Sequence, residues 1–268
     1  MMIREPAVAG QFYSADPKAL RRIIQSFVEE TNSPIKARAV VVPHAGYVYS
    51  GSVAGKVFSS IALPERMIIL GPNHTGSREA LALSPAGAWR TPLGMAEIDA
   101  DMNRCLLAEC PSLKEDSFAH LGEHSIEVQI PFIQFLQPDF GFSAICVGTA
   151  DYSFLESLGH AMARVIRSFR EPILLVASSD MTHYESADAA ARQDQYAIDR
   201  ILTVDPRGLY SAVIEKNISM CGFAPATAVL VACRDLGSTK GSLICYSNSG
   251  EASRDYDRVV AYAGIAVM

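Results

Sequence analysis

Met67-Ile68-Ile69-Leu70, followed at once by Gly71-Pro72-Asn73-His74, is the stretch that decides the fold. Its apolar residues do not alternate with polar ones, so both faces of the segment are covered. A strand of a parallel sheet with helices on either side reads this way. Three other runs share the pattern. Residues 39–42 end in Pro43-His44, residues 142–147 are closed by Gly148, and residues 173–177 end in Ser178-Ser179-Asp180. Residues 241–246 and 258–267 read as two final strands, with a charged loop at 251–255 between them.

Amphipathic patterns fill the intervals. Leu20, Ile23, Ile24 and Phe27 stand at helical spacing within 17–30, and helices are expected over 52–62, 125–136, 154–169, 187–202, 206–215 and 225–236. This alternation predicts one α/β domain over residues 1–268, with a largely parallel or mixed central sheet and helices on both faces. The chain is long enough to bury roughly three-quarters of its unfolded surface without staples.

Composition narrows the function classes. Hydrophobic residues make up 49% and charged residues 19%, which excludes a disordered chain. The formal charge is −6 with no long Lys or Arg run, which disfavours binding along a nucleic-acid backbone. The six cysteines, at 105, 110, 146, 221, 233 and 245, form no CxxC pair, and Cys146, Cys233 and Cys245 lie in apolar runs. They read as free thiols of a reducing compartment. No run of about 18 apolar residues crosses a membrane. The N-terminal stretch MMIREPAVAGQFYSAD has no signal-peptide core, so a cytoplasmic location is expected.

The polar residues fall where chemistry gathers in such folds. Only six histidines are present, and His44 and His74 each follow an apolar run directly, while Asp180 and His183 follow a third. In open α/β sheets, ligands bind outside the carboxyl ends of the strands. Neutral imidazole is the commonest side-chain metal ligand, and two from adjacent strands can converge. Asp180 reads as a helix N-cap or as a ligand or orienter, with His183 as acid/base. Gly122 to Glu127 opens a helix whose Glu123 and Glu127 suit its dipole, which leaves His124 free to enter the same crevice. Cys221 reads as a buried thiol or, near a helix start, as a thiolate. With two imidazoles it makes a three-ligand open site. His120 and His160 read as structural.

The segments REPAVAGQFY (4–13), PHAGYVYSG (43–51), GPNH (71–74), WRTPLG (89–94), EHSIEVQIPF (123–132), SSDMTH (178–183) and MCGFAP (220–225) resemble, in order, those of the Memo family. The resemblance implies a fold like that of class III extradiol dioxygenases, which hold non-haem iron with two His and one Glu. It places His44 and His74 at the two His positions and Cys221 at the third, a softer ligand than Glu. It makes His183 the acid/base, with Asp180 beside it. His124 is expected to join them in the catalytic group, and Tyr47 and Asn73 to bind substrate in the same pocket. It also implies iron or copper, with zinc as an alternative, and an unknown small-molecule substrate. An AMMECR-type protein and a radical SAM protein are implied as pathway partners. The expected function is metal-dependent redox chemistry. The rivals are a binding protein taking a peptide or anion in the same crevice, and a zinc hydrolase.

Overall fold

A computed structural model describes residues 2–76 and 79–268. Met1, at the head of the N-terminal reading, lies outside these residues. The four apolar runs are strands: Ala39–Val42 (β2), Arg66–Pro72 (β3), Gly141–Val147 (β8) and Ile173–Ser178 (β9). The remaining strands are Met2–Arg4 (β1), Leu81–Leu83 (β4), Gly87–Thr91 (β5), Gly94–Ile98 (β6), Leu113–Glu115 (β7), His183–Glu185 (β10), Gly241–Asn248 (β11) and Val259–Val267 (β12). Helices cover Pro17–Phe27 (α1), Tyr47–Ser60 (α2), Ala100–Glu109 (α3), Phe118–Leu121 (α4), Ile130–Leu136 (α5) and Tyr152–Ser168 (α6). They continue with Ala187–Leu202 (α7), Pro206–Glu215 (α8), Phe223–Asp235 (α9) and Gly250–Ser253 (α10).

Among the described residues, the strands form one twelve-stranded mixed sheet in a single α/β domain. Its main path runs β1-β5-β6-β8-β3-β9-β2-β12-β10. The centre, β8-β3-β9-β2, is parallel throughout. Antiparallel pairing appears where β12 joins β2 and β11, and in the β5–β6 hairpin formed by WRTPLG.

Each central strand is buried on both faces because its alternate residues enter two separate cores. Val41, Ile68, Leu70 and Leu175 pack with residues of α3, α6, α7, α8 and α9. Val40, Met67, Ile69 and Val176 pack with Leu20, Phe58 and Phe132 of α1, α2 and α5. Parallel pairing has a direct consequence. The carboxyl ends of β2, β9 and β3 emerge side by side at one edge.

Local boundaries differ from expectation in three places. The first three residues of the loop expected at 251–255 belong to the short helix α10, with Arg254 in the left-handed region closing it. The helix expected from residue 125 starts as a 3-10 turn at Glu127–Gln129 and becomes α-helical only at Ile130. The strands and helix between residues 81 and 115 lack strong periodicity because most are short or lie at the sheet margin.

Candidate metal centre

Three loops leave adjacent parallel strands and converge. His44 follows β2, His74 follows β3, and Asp180 to His183 follow β9. Cys221 joins them from the turn before α9. Together with His124, these residues line one cleft of about 790 Å³. Its outer walls include Phe12, Tyr49, Tyr184, Arg258 and Tyr262.

His44 is 2% exposed. Its backbone N–H donates to Asp180 Oδ1 at 2.7 Å, its Nδ1 lies 2.9 Å from Ser178 Oγ, and its Nε2 lies 3.2 Å from Cys221 Sγ. Burial lowers its pKa well below that of free imidazole, and the neighbouring rings of His124 and His74 add to the effect. The ring is therefore neutral and available as a ligand.

His74, with 34% of its side chain exposed to the cleft, is held by Glu123. The Glu123 carboxylate accepts the His74 backbone N–H at 2.6 Å and lies 3.0 Å from Nδ1. It also accepts the backbone N–H groups of His124 and Ser125. Burial pushes the Glu123 carboxyl up, but the bonds from His74 and Ser125 outweigh it and hold the group at about 2. An ionised carboxylate only accepts, so His74 Nδ1 carries the proton and Nε2 is left as the lone-pair atom. The hydrogen bond to Glu123 raises the His74 pKa. A carboxylate behind an imidazole is the arrangement that orients metal-bound histidines.

His124 stacks on His74, with ring centroids 4.7 Å apart, and stands 5.5 Å from His44. Burial lowers its pKa. Asp180 is not a helix cap, because no helix follows it. Its Oδ1 accepts from His44 N and Ala45 N, and its own N–H points at Cys221 Sγ at 3.3 Å. Burial raises the Asp180 pKa. His183 receives its orientation from Ser219: its N–H donates to Ser219 Oγ, and Nδ1 lies 2.9 Å from Ser219 O. A carbonyl only accepts, so Nδ1 carries the proton here too.

Cys221 corrects one expectation. In the absence of a metal it is no depressed-pKa thiolate: burial, and then the nearby Asp180, push its pKa up. Gly222 beside it is required by close approach, since a Cβ there would lie 2.3 Å from Ser178 O.

Two of the expected pocket residues stand elsewhere. Tyr47 opens α2 facing inward, packs on Tyr13 and Phe132, and donates its hydroxyl to Val128 O. Tyr49, two residues further around the helix, is the one that meets the cleft. Asn73 turns its Oδ1 back to accept from Thr75 N and Gly76 N, which shapes the loop that carries His74. Glu123 and Glu127, read as dipole partners, are both buried structural acceptors. Glu127 takes Arg4 Nη1 at 2.6 Å, Tyr13 O–H at 2.6 Å, and the N–H groups of Ala7 and Val8. No local spacing signals either role, since Arg4 and Glu127 lie 123 positions apart. His120 and His160 remain outside the cleft, on Ala82 O and Asp235 respectively.

One donor atom from each of His44, His74 and Cys221 falls within 4.8 Å of the others. Two further groups meet the same limit: His74, Glu123 and His124, and Asp180, His183 and Cys221. One imidazole is buried and the other more exposed, both are fixed from behind, and they are paired with a soft sulfur. That donor set fits a late first-row transition metal.

Comparison with known proteins shows the family and the fold. The family described as Memo-like protein matches residues 4–266. A MEMO1 family protein of Methanopyrus kandleri is 41% identical over a 278-residue alignment covering 98% of each chain. A MEMO1 family protein of Aquifex aeolicus is 39% identical over 267 residues, covering 99% of each. The solved structure of an uncharacterized Escherichia coli K12 protein shares the fold, with a TM-score of 0.58 at 13% identity, over 86% of this chain and all of that one. The chain belongs to the Memo-like protein family.

Proposed function

We propose that the cleft is a metal-dependent redox centre acting on a small molecule, with His44, His74 and Cys221 holding iron or copper. The observation that carries this reading is the convergence of the three donor atoms within 4.8 Å at the floor of an open cleft. Two imidazoles and a thiolate suit copper, iron and zinc. Iron or copper leads because the resemblance to extradiol dioxygenases carries redox chemistry with it.

When bound, the metal would supply an open position for substrate or O₂ and the electron transfer that side chains lack. The chain's own residues do the rest. Glu123 fixes His74. Asp180 ties the His44 loop to the Cys221 turn. His183 keeps its Nδ1 proton on Ser219 O, so Nε2 is free to take a proton from a bound hydroxyl. Phe12, Tyr49 and Tyr262 offer aromatic surface to the apolar part of a ligand.

A second reading draws on Arg258. This residue lines the cleft, its guanidinium lies 5.6 Å from the Tyr184 ring centroid, and among the described residues it forms no ion pair with a carboxylate. It favours a binding protein that takes an anion or acidic peptide there.

Oxygen uptake by protein loaded anaerobically with iron, copper or zinc separates these readings, with catechol as the first substrate tried. Uptake that needs iron or copper and falls in His183→Ala supports the redox centre. Inert iron and copper forms beside saturable binding of a phosphopeptide favour the binding protein. Ester hydrolysis by the zinc form alone favours a hydrolase.

A further inference from the structure

Ser178 ends β9 fully buried, directly behind His44. Its hydroxyl oxygen has three neighbours within hydrogen-bond distance: Ser125 O at 2.6 Å, Gln129 Nε2 at 2.9 Å and His44 Nδ1 at 2.9 Å. A serine hydroxyl has one proton to donate and two lone pairs to accept with. The three contacts therefore have to divide one against two.

Chemistry fixes the division. Ser125 O is a carbonyl oxygen and can only accept. Two oxygens 2.6 Å apart need a proton between them, so the single Ser178 proton lies on that line. Gln129 is also fixed, because the same Nε2 reaches Pro43 O at 2.9 Å, and a carbonyl there demands a donor. Its amide N–H therefore points at one Ser178 lone pair. The remaining lone pair faces His44 Nδ1, and that nitrogen must bring its own proton.

We propose that Ser178, locked by Ser125 and Gln129, is a positioning residue that holds His44 as the Nδ1–H tautomer with its Nε2 lone pair facing Cys221 and the cleft. His44 then reaches the same tautomer as His74 by a different device, a neutral hydroxyl in place of the Glu123 carboxylate. His44 is 2% exposed and already faces the buried Asp180 carboxylate, and a hydroxyl adds no further charge behind the ring. Without Ser178 the ring is free to reverse and place an N–H toward Cys221 Sγ, where it cannot bind a metal. This inference deepens the metal reading, but the tautomer exists in the metal-free protein and is measured there.

Long-range ¹H–¹⁵N correlation spectra of histidine-labelled, metal-free protein report which ring nitrogen is protonated. The expected result for wild-type His44 is a protonated Nδ1 and a bare Nε2. Ser178→Ala should convert this to a mixture or to the Nε2–H form. It should also weaken Zn²⁺, used alone as the probe, by roughly 10- to 100-fold in Kd. A wild-type Nε2–H signature overturns the proposal whatever the variant does. So does a Ser178→Ala protein that keeps both the Nδ1–H signature and the wild-type Kd. Wild-type protein that shows Nδ1–H yet binds no Zn²⁺ supports the tautomer assignment and counts against the metal reading instead.

Discussion

At the scale of single residues, the cleft depends on acceptors placed behind the histidines. Glu123 serves four N–H donors with two oxygens, three of them backbone. Glu123→Gln replaces one of those oxygens with an N–H₂ group facing donors. The variant should lose about 1–3 kcal/mol of stability and roughly 10- to 100-fold in metal affinity, read by urea denaturation and by metal titration. His120 makes a separate prediction far from the cleft. Burial, and then the nearby Arg4, lower its pKa to about 4. Unfolding lets this ring bind a proton at any pH below its ordinary 6.5, while the folded protein resists until about 4. Stability from this residue is therefore complete above pH 6.5, declines as pH falls through that window, and is gone below it. The loss amounts to about 3 kcal/mol. His120→Leu should flatten the stability profile between pH 6.5 and 4. An unchanged slope in urea titrations across that range would contradict the assignment.

At the scale of elements, close packing sets the positions of the helices that flank the sheet. Gly159 of α6 lies against α9, where an added Cβ would come within 2.5 Å of Val231 Cβ and 2.7 Å of Ala228 O. Gly159→Ala should cost about 1–3 kcal/mol by overpacking, with metal affinity kept, because Gly159, Ala228 and Val231 do not line the cleft. Thermal unfolding beside metal titration checks both halves. The elements also show why some of the fold was legible and some was not. Residues 39–42, 67–70, 142–147 and 173–177 read as strands because burial on both faces demands unbroken apolar runs. β4 and β7 are only three residues long, and the five residues of β6 mix apolar with polar side chains, so they leave little periodic trace. α2 starts at Tyr47, before the expected residue 52, for another reason. Gly46 gives no side-chain cap, and the Tyr47-Val48-Tyr49 opening carries a strand-like composition.

At the scale of the whole molecule, the N-terminal segment is fastened to the same region that builds the cleft. Arg4 donates to Glu127, His120 O and Glu123 O, and its guanidinium lies 4.1 Å from the Trp89 ring centroid. Arg4→Met leaves the buried Glu127 carboxylate without its cation and should cost about 3–5 kcal/mol. Loss of order in residues 4–13 by hydrogen exchange should accompany it. A variant as stable as wild type would show that the pair is dispensable. Topology explains which parts of the site could be read in advance. His44, His74, Asp180 and His183 follow strands whose parallel pairing brings their ends together, so position along the chain foretold position in space. Glu123 reaches His74, Gln129 reaches Ser178 and Ser178 reaches His44 across 49 or more positions, and no local pattern marks those contacts. Tyr47 misled because helical rotation, not proximity to His44, decides which tyrosine faces the cleft.

The central claim is that His44, His74 and Cys221 bind a redox metal as one unit. Metal content by mass spectrometry, on anaerobically purified wild type and Cys221→Ser, tests it most directly. The account predicts near-stoichiometric iron or copper in wild type and its loss in Cys221→Ser. A wild-type protein that is empty and refuses added iron and copper would contradict it.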